Sequence, residues 1–174
     1  MTHSPKEPLI ILGIDPGTCI TGYGVISHSH TKQIALGYGC IKPPKTSTPP
    51  QKYLVLFESI ETLIETYKPH VLSVETQFVY KNVQSAMKLG MARGMALLAA
   101  ARRNIPIYEY APKKAKLAIT GYGSASKEQV QKMIQLLLNL PELPQPEDAA
   151  DALALALCHA NSLRQKHQLQ GSLV

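Results

Sequence analysis

Cysteine is scarce and dispersed: Cys19, Cys40 and Cys158 stand alone in a chain of 174 residues. No Cys-x-x-Cys pair and no Cys/His run at zinc-site spacing occurs, which argues against a structural zinc site, and the odd count argues against a disulfide framework. Free thiols point to a reducing cytoplasm. Long apolar runs are also missing. The longest, Leu89 to Ala101, is interrupted by Arg93 and falls short of the ~20 residues needed to span a bilayer, so no membrane association is expected. Met1 to Pro8 is polar, and the apolar run Leu9–Ile14 is too short for the hydrophobic segment of a signal peptide. Histidines are scattered, and the pair His28 and His30 lies in a polar stretch that reads as a turn. Acidic residues are few: 12 against 18 Lys and Arg, for a net charge of +6. A basic balance suits a polyanion partner, because clustered Lys and Arg release counterions from phosphate. It also makes the position of each acid informative.

The apolar patterning predicts one domain over residues 9–160, with a flexible N-terminus (1–8) and a polar C-terminal tail (161–174). Leu9–Ile14 reads as a buried strand that stops at Asp15-Pro16-Gly17. Gly22–Ser27 and Ile34–Ile41 read as two further strands, giving an antiparallel meander. The proline-rich stretch Pro43–Pro50 reads as an exposed loop. Leu54, Phe57, Ile60, Ile64 and Tyr67 recur at helical spacing with Pro69 as the stop, and His70–Glu75 follows as a strand. Asn82 is placed to cap a long Ala-, Met- and Gly-rich helix reaching about Arg103. Ile105–Tyr108 reads as a last strand, Pro112 opens a short basic segment broken at Gly121, Ser126 caps a helix to Leu138, and a final helix begins near Glu147 or Asp148. Three antiparallel strands followed by helical crossovers predict an α/β fold with a mixed five-stranded sheet flanked by helices.

Asp15 and Glu75 each stand where an apolar strand meets a loop, the usual place for chemistry on an open α/β sheet. Asp148 and Asp151, three residues apart, share one face of an alanine-rich helix. Such a like-charged pair is tolerated best with a cation between its members or with solvent screening. Together the four carboxylates offer an all-oxygen ligand set, suited to Mg²⁺ or Mn²⁺, and a pair of such ions is a known means of cleaving phosphodiesters. Each residue also has a plainer reading: Asp15 as a turn former, Glu75 as a solvated strand end, Asp148 as an acid favoured at a helix N-terminus. Lys81, Lys88, Arg93, Lys113, Lys114, Lys116 and Lys127 are candidates for a phosphate track, with Arg93 open between phosphate contact and dimer pairing. Phe78, in an expected loop, is a candidate for base stacking.

Several of these segments resemble the RuvC family of Holliday junction endonucleases. The resemblance is carried by Ile11-Leu-Gly-Ile-Asp-Pro-Gly-Thr18 with Thr21-Gly-Tyr-Gly-Val25, by Glu75-Thr-Gln-Phe78 with Lys81-Asn82, by Ala86–Gly90 with Ala92-Arg-Gly94, by Gly123-Ser-Ala125 with Lys127, and by Asp148-Ala-Ala-Asp-Ala-Leu-Ala154. It spans roughly residues 9–160 in the right order. It implies a ribonuclease-H-like fold, a homodimer built on the helix bearing Gly90 and Gly94, and Mg²⁺-dependent symmetric nicking of four-way junction DNA in recombination and repair. It also implies two ions per subunit with Mn²⁺ able to substitute, and partnership with the RuvA–RuvB branch-migration complex. The family's acidic positions match Asp15, Glu75, Asp148 and Asp151, where some relatives carry His at the third. Its DNA-contacting positions match Phe78, Lys81, Lys116 and Lys127. The alternatives are a ribonuclease-H-like nuclease on another nucleic acid, a non-catalytic junction-binding protein, and an ATPase of the actin-like or sugar-kinase group, whose first phosphate loop Ile14–Thr18 resembles. The last normally needs two such domains, and 174 residues hold one.

Overall fold

The computed structural model describes residues 7–29, 32–76 and 83–171, with 165–171 described by backbone alone. Strand β1 (Leu9–Asp15) alternates its side chains between two cores. Ile11 faces one way, while Leu12 and Ile14 are included in the other cluster, and all three are fully buried. Such burial on both faces explains the unbroken apolar run. It pairs antiparallel with β2 (Thr21–His28), which pairs antiparallel with β3 (Gln33–Ile41). On its other side β1 lies parallel to β4 (Val71–Glu75), and β4 parallel to β5 (Ile107–Tyr110). The sheet order is β3-β2-β1-β4-β5, the mixed five-stranded arrangement that the patterning predicts.

One face is covered by α1 (Pro49–Tyr67) and α2 (Val83–Arg102), the other by α3 (Pro112–Thr120), α4 (Lys127–Leu138) and α5 (Glu147–Gly171). Against the first face, Leu56, Ile60 and Ile64 of α1 meet Ala92, Ala96, Ala99 and Ala100 of α2. On the second, α5 contributes Leu153, Leu157 and a series of alanines. Small side chains let this helix lie almost on the sheet. A Cβ added at Gly13 would stand 2.0 Å from the Ala152 carbonyl oxygen, and one at Gly22 would stand 1.9 Å from that of Asp148.

Four expectations need correction. The proline-rich loop ends sooner than Pro50, because Pro49 and Pro50 occupy the opening positions of α1, where the missing N–H costs nothing. Gln51 closes that end by accepting from the Thr48 N–H at 2.8 Å. The last strand is Ile107–Tyr110, two residues later than patterning suggested: Ile105 donates back to Ala100 to finish α2, and pairing with β4 begins at Ile107. The basic segment after Pro112 is a true helix, α3, stopped by Gly121 at φ 79°. The polar stretch from residue 161 continues α5 as far as Gly171. Asn82 and His30 lie outside the described residues, as does the N-terminus through residue 6. Among the described residues no helix is long and apolar enough to cross a membrane.

The close approach of α5 yields a stability test. Gly22→Ala should cost about 1–3 kcal/mol, since the clash is with backbone and no flexible side chain can yield. Gly94→Ala, with nothing within 4 Å of the added methyl, should be neutral or gain up to about 1 kcal/mol of helix propensity. Urea denaturation compares them; equal midpoints for the two variants would refute the tight α5–sheet contact.

Candidate active site

β1 and β4 run parallel with Ile14 opposite Val74, so the residues that follow, Asp15 and Glu75, leave the sheet at the same edge. Asp15 is also opposite Gly22 in β2, and Gly22 lies beneath the Asp148 carbonyl in the first turn of α5. Asp151 follows one turn on. Two strand ends and one helix N-terminus therefore bring the four expected carboxylates to one corner. The turn after Asp15 is tied by Thr21, a buried side chain whose hydroxyl donates to the Gly17 carbonyl at 2.7 Å and accepts from the Gly17 N–H at 3.1 Å.

The electrostatics record this convergence. Burial pushes the Asp15 carboxyl from 3.8 up to about 8, reinforced by the charges of Glu75, Asp151 and Asp148 and opposed by Lys127. Burial likewise raises Glu75 from 4.5 to about 6, with Asp151 adding to the shift and Lys116 opposing it. Asp151 is raised by burial too, against the pull of Lys127 and Lys116. Burial without a compensating cation favours the protonated form of an acid. Among the described residues no three His, Cys, Asp or Glu side chains converge as a ready-made metal cage. The carboxylates are near enough for their charges to couple.

Two cations border the cluster. Lys127 opens α4 behind the Ser126 cap, and its ammonium lies 2.8 Å from Glu147 and 3.9 Å from Asp151. Lys116, on α3, donates to the Ala125 carbonyl at 3.1 Å and acts on both Glu75 and Asp151. Other members of the expected track are engaged elsewhere or stand apart. Arg93 on α2 donates from Nε to the Glu75 carbonyl at 3.2 Å and pairs with Glu109 at 2.6 Å, which makes it a brace between the ends of β4 and β5. Lys114 sits 5.2 Å over the Tyr110 ring. Lys88 lines a cleft of about 180 Å³ with Thr18, Lys52 and Tyr53. Phe78 and Lys81 lie outside the described residues.

Sequence reading missed Arg93 as a brace, Thr21 as the tie of the Asp15 turn, and Glu147 as the partner of Lys127. Only Glu147 had a local signal, an acid directly before Asp148 in the same first helical turn.

The raised acids predict how the metal-free protein responds to pH. Between the ordinary value of 3.8 and about 8, folded Asp15 holds a proton that the unfolded chain has released. Stability is then fully present below 3.8 and is lost as pH rises through about 8. Glu75 adds the same sign between 4.5 and about 6. Thermal melting in chelator should fall as pH rises from roughly 4 to 8 and level off above, and Asp15→Asn should flatten the fall and raise the midpoint by roughly 2–4 °C at the alkaline end. A wild-type midpoint flat across that window would contradict the buried-acid geometry.

Comparison with known proteins places these features in a family. A family model described as crossover junction endodeoxyribonuclease RuvC matches residues 11–159. A protein of that name from Protochlamydia amoebophila is 60% identical over 155 residues, covering 89% of this chain and 92% of the relative. Another from Desulfitobacterium hafniense is 44% identical over 165 residues, covering 95% of this chain and all of the relative. The structure of Thermus thermophilus RuvC in complex with Holliday junction substrate superposes with a TM-score of 0.85 at 33% identity, covering 91% of this chain and 96% of that one. The yeast mitochondrial Holliday junction resolvase Ydc2, at 18% identity and a TM-score of 0.67, shares the fold. The chain belongs to the RuvC family of crossover junction endodeoxyribonucleases.

Proposed function

We propose that this protein resolves four-way DNA junctions by metal-dependent hydrolysis of one phosphodiester in each of two opposed strands, leaving 5′-phosphate and 3′-hydroxyl ends that can be rejoined. The observation that carries this reading is the buried carboxylate corner at the sheet edge, with Asp15 raised to about 8 among three further acids and two bordering lysines. Family membership supplies the substrate class.

The donor set fits a hard divalent cation. Asp15, Glu75, Asp148 and Asp151 are all oxygen ligands, and Asp15 forms no salt bridge among the described residues, so the charge it would carry at neutral pH has no close partner. Mg²⁺ keeps several waters and is commonly held by one or two carboxylates together with substrate phosphate, so it does not require three acids to meet at one point. We assign these four residues to two Mg²⁺ ions per subunit, replaceable by Mn²⁺. When bound, the metal would neutralise charge at the scissile phosphate and acidify a water. In hydrolysis the oxygen of water joins phosphorus, the bond to the 3′-oxygen breaks, and that oxygen ends protonated. Lys116 and Lys127 hold phosphates at the rim, a task their placement beside Glu75 and Asp151 suits. Phe78 and Lys81 are assigned to DNA on the resemblance alone.

A homodimer would present two such corners to opposed strands. Its support is α2, where Val83, Met87 and Met91 recur one turn apart with Leu98 further on, all more than half exposed. A stripe of this kind is costly in water and typical of a helix awaiting a partner. Contact with a RuvA–RuvB complex and a cytoplasmic location follow from the family reading.

The test is a synthetic mobile junction with and without Mg²⁺, beside a matched linear duplex and an RNA–DNA hybrid. Paired nicks should appear on the junction alone. Asp15→Asn should lower cleavage by several kcal/mol, on the order of a thousandfold, while leaving junction affinity within a few-fold. Cleavage of the hybrid or duplex instead would keep the nuclease and reject the substrate; tight binding without cleavage in any metal would reject the enzyme. Lys116→Ala should reduce the slope of log affinity against log salt by about 1, and an unchanged slope would remove Lys116 from the phosphate contacts.

A further inference from the structure

The turn between α3 and α4 carries an aromatic side chain that neither the fold nor the acidic corner uses. Tyr122 is 73% exposed, the joint most exposed of the large hydrophobic and aromatic side chains among the described residues. Its backbone is nevertheless held firmly. The Thr120 hydroxyl accepts from the Tyr122 N–H at 3.1 Å and shares its one proton between the Lys116 carbonyl at 2.8 Å and the Tyr122 carbonyl at 2.9 Å, while the Ala125 N–H donates to the Tyr122 carbonyl at 3.2 Å. Gly121 precedes it in the left-handed conformation, and Gly123 follows it against the stem of Lys113, whose Cγ would lie 3.1 Å from an added methyl. A single exposed aromatic is ordinary. An exposed aromatic on a braced backbone between two glycines offers its faces to a ligand.

The turn that carries the ring is tied to a lysine of the acidic corner. Lys116 donates to the Ala125 carbonyl, the last residue of the turn, and acts on Glu75 and Asp151. Lys127, two residues beyond Ala125, acts on Asp15 and Asp151. With Lys113 against Gly123, lysines stand on both sides of Tyr122 in sequence, and Lys127 reaches Asp151 in the corner. Flat aromatic surface beside a basic rim is the chemistry that receives an unstacked nucleobase, with the lysines taking the adjoining phosphates. At a four-way branch point bases lose a stacking neighbour.

We propose that Tyr122 stacks on a nucleobase at the branch point and so helps position the scissile strand over the acidic corner; this rests on the reading that junction DNA is the substrate. Tyr122 is a positioning residue and takes no part in the hydrolytic step. The phenol oxygen is not required, so Tyr122→Phe should behave as wild type, whereas Tyr122→Ala should lose the ring.

The experiment is a double-mutant cycle on the full-length protein. Wild type, Tyr122→Ala and Tyr122→Phe are titrated with a fixed junction in Ca²⁺, then assayed for cleavage in Mg²⁺. The junctions carry intact bases or an abasic site at each branch-point nucleotide in turn. Tyr122→Ala should weaken binding of the intact junction by about fivefold to a hundredfold and raise KM more than it lowers kcat, with Tyr122→Phe restoring both. On one abasic junction the penalty should vanish, which identifies the stacked base. Equal affinity for Tyr122→Ala and wild type, or a loss undiminished on every abasic junction, would overturn the stacking role while wild-type cleavage left the nuclease reading intact. A wild-type protein that neither bound nor cut the junction would overturn both.

Discussion

The contact on which this molecule depends is backbone against backbone. α5 crosses the sheet so closely that the carbonyls of Asp148 and Ala152 take the space a methyl group would need at Gly22 and Gly13. Nothing larger than glycine fits beneath, and the inner face of the helix is correspondingly alanine-rich. The approach does more than build a core. It sets the height of Asp148 and Asp151 above the strand ends, so the distance between helix acids and strand acids is decided by close packing that cannot slide. Ser73 reinforces it from below by donating to the Leu155 carbonyl at 2.8 Å. Because packed backbone is far less compliant than side chains, ligand positions set this way vary little.

The same approach is electrostatically costly. It removes water from Asp15 and Glu75 while bringing Asp151 near both. Lys127 and Lys116 offset part of the repulsion, yet Lys127 is shared with Glu147 and Lys116 with the Ala125 carbonyl. The metal-free corner therefore resolves its excess of negative charge by holding protons. A cation entering the corner would displace them, so metal affinity and pH are linked through the same residues. The fold invests stability in an arrangement whose strain a bound cation would relieve, which is the usual relation between a functional site and its scaffold.

Much of this was legible in the linear sequence because it rests on local periodicity. Leu9–Ile14 running into Asp15-Pro-Gly could only be a buried strand meeting a turn, and Asp148 and Asp151 share a face by helical spacing alone. The strands' adjacency was conditional: Asp15 and Glu75 converge only because β4 inserts beside β1, a choice made by the α1 crossover and not by either strand's residues. What escaped was what tertiary contacts decide. β5 is displaced to Ile107–Tyr110 because hydrogen bonding to β4 outweighs the apolarity of Ile105. The run after Pro112 read only as a short basic segment broken at Gly121, and it is a helix because Ala115 and Ile119 bury against the second face. Arg93 read as open between phosphate contact and dimer pairing; its partners, Glu109 and the Glu75 carbonyl, lie 16 and 18 residues away in the chain.

Arg93 also joins the acidic corner to the helix face proposed for the dimer. α2 buries Ala92, Ala96, Ala99 and Ala100 in the first core and turns Met87, Met91 and Leu98 outward. Between those faces Arg93 reaches the end of β4 and grips the main chain of the residue that carries the Glu75 carboxylate. A rigid helix thus spans from the proposed dyad to the acidic corner in a single element. If a second copy packs on the outward stripe, the separation between the two corners is set by α2 and its Arg93 brace, with no loop in the path. For an enzyme that must place two cuts symmetrically, a helix is the right connector: its 1.5 Å rise per residue is stiff, whereas a loop would let the two sites wander relative to each other.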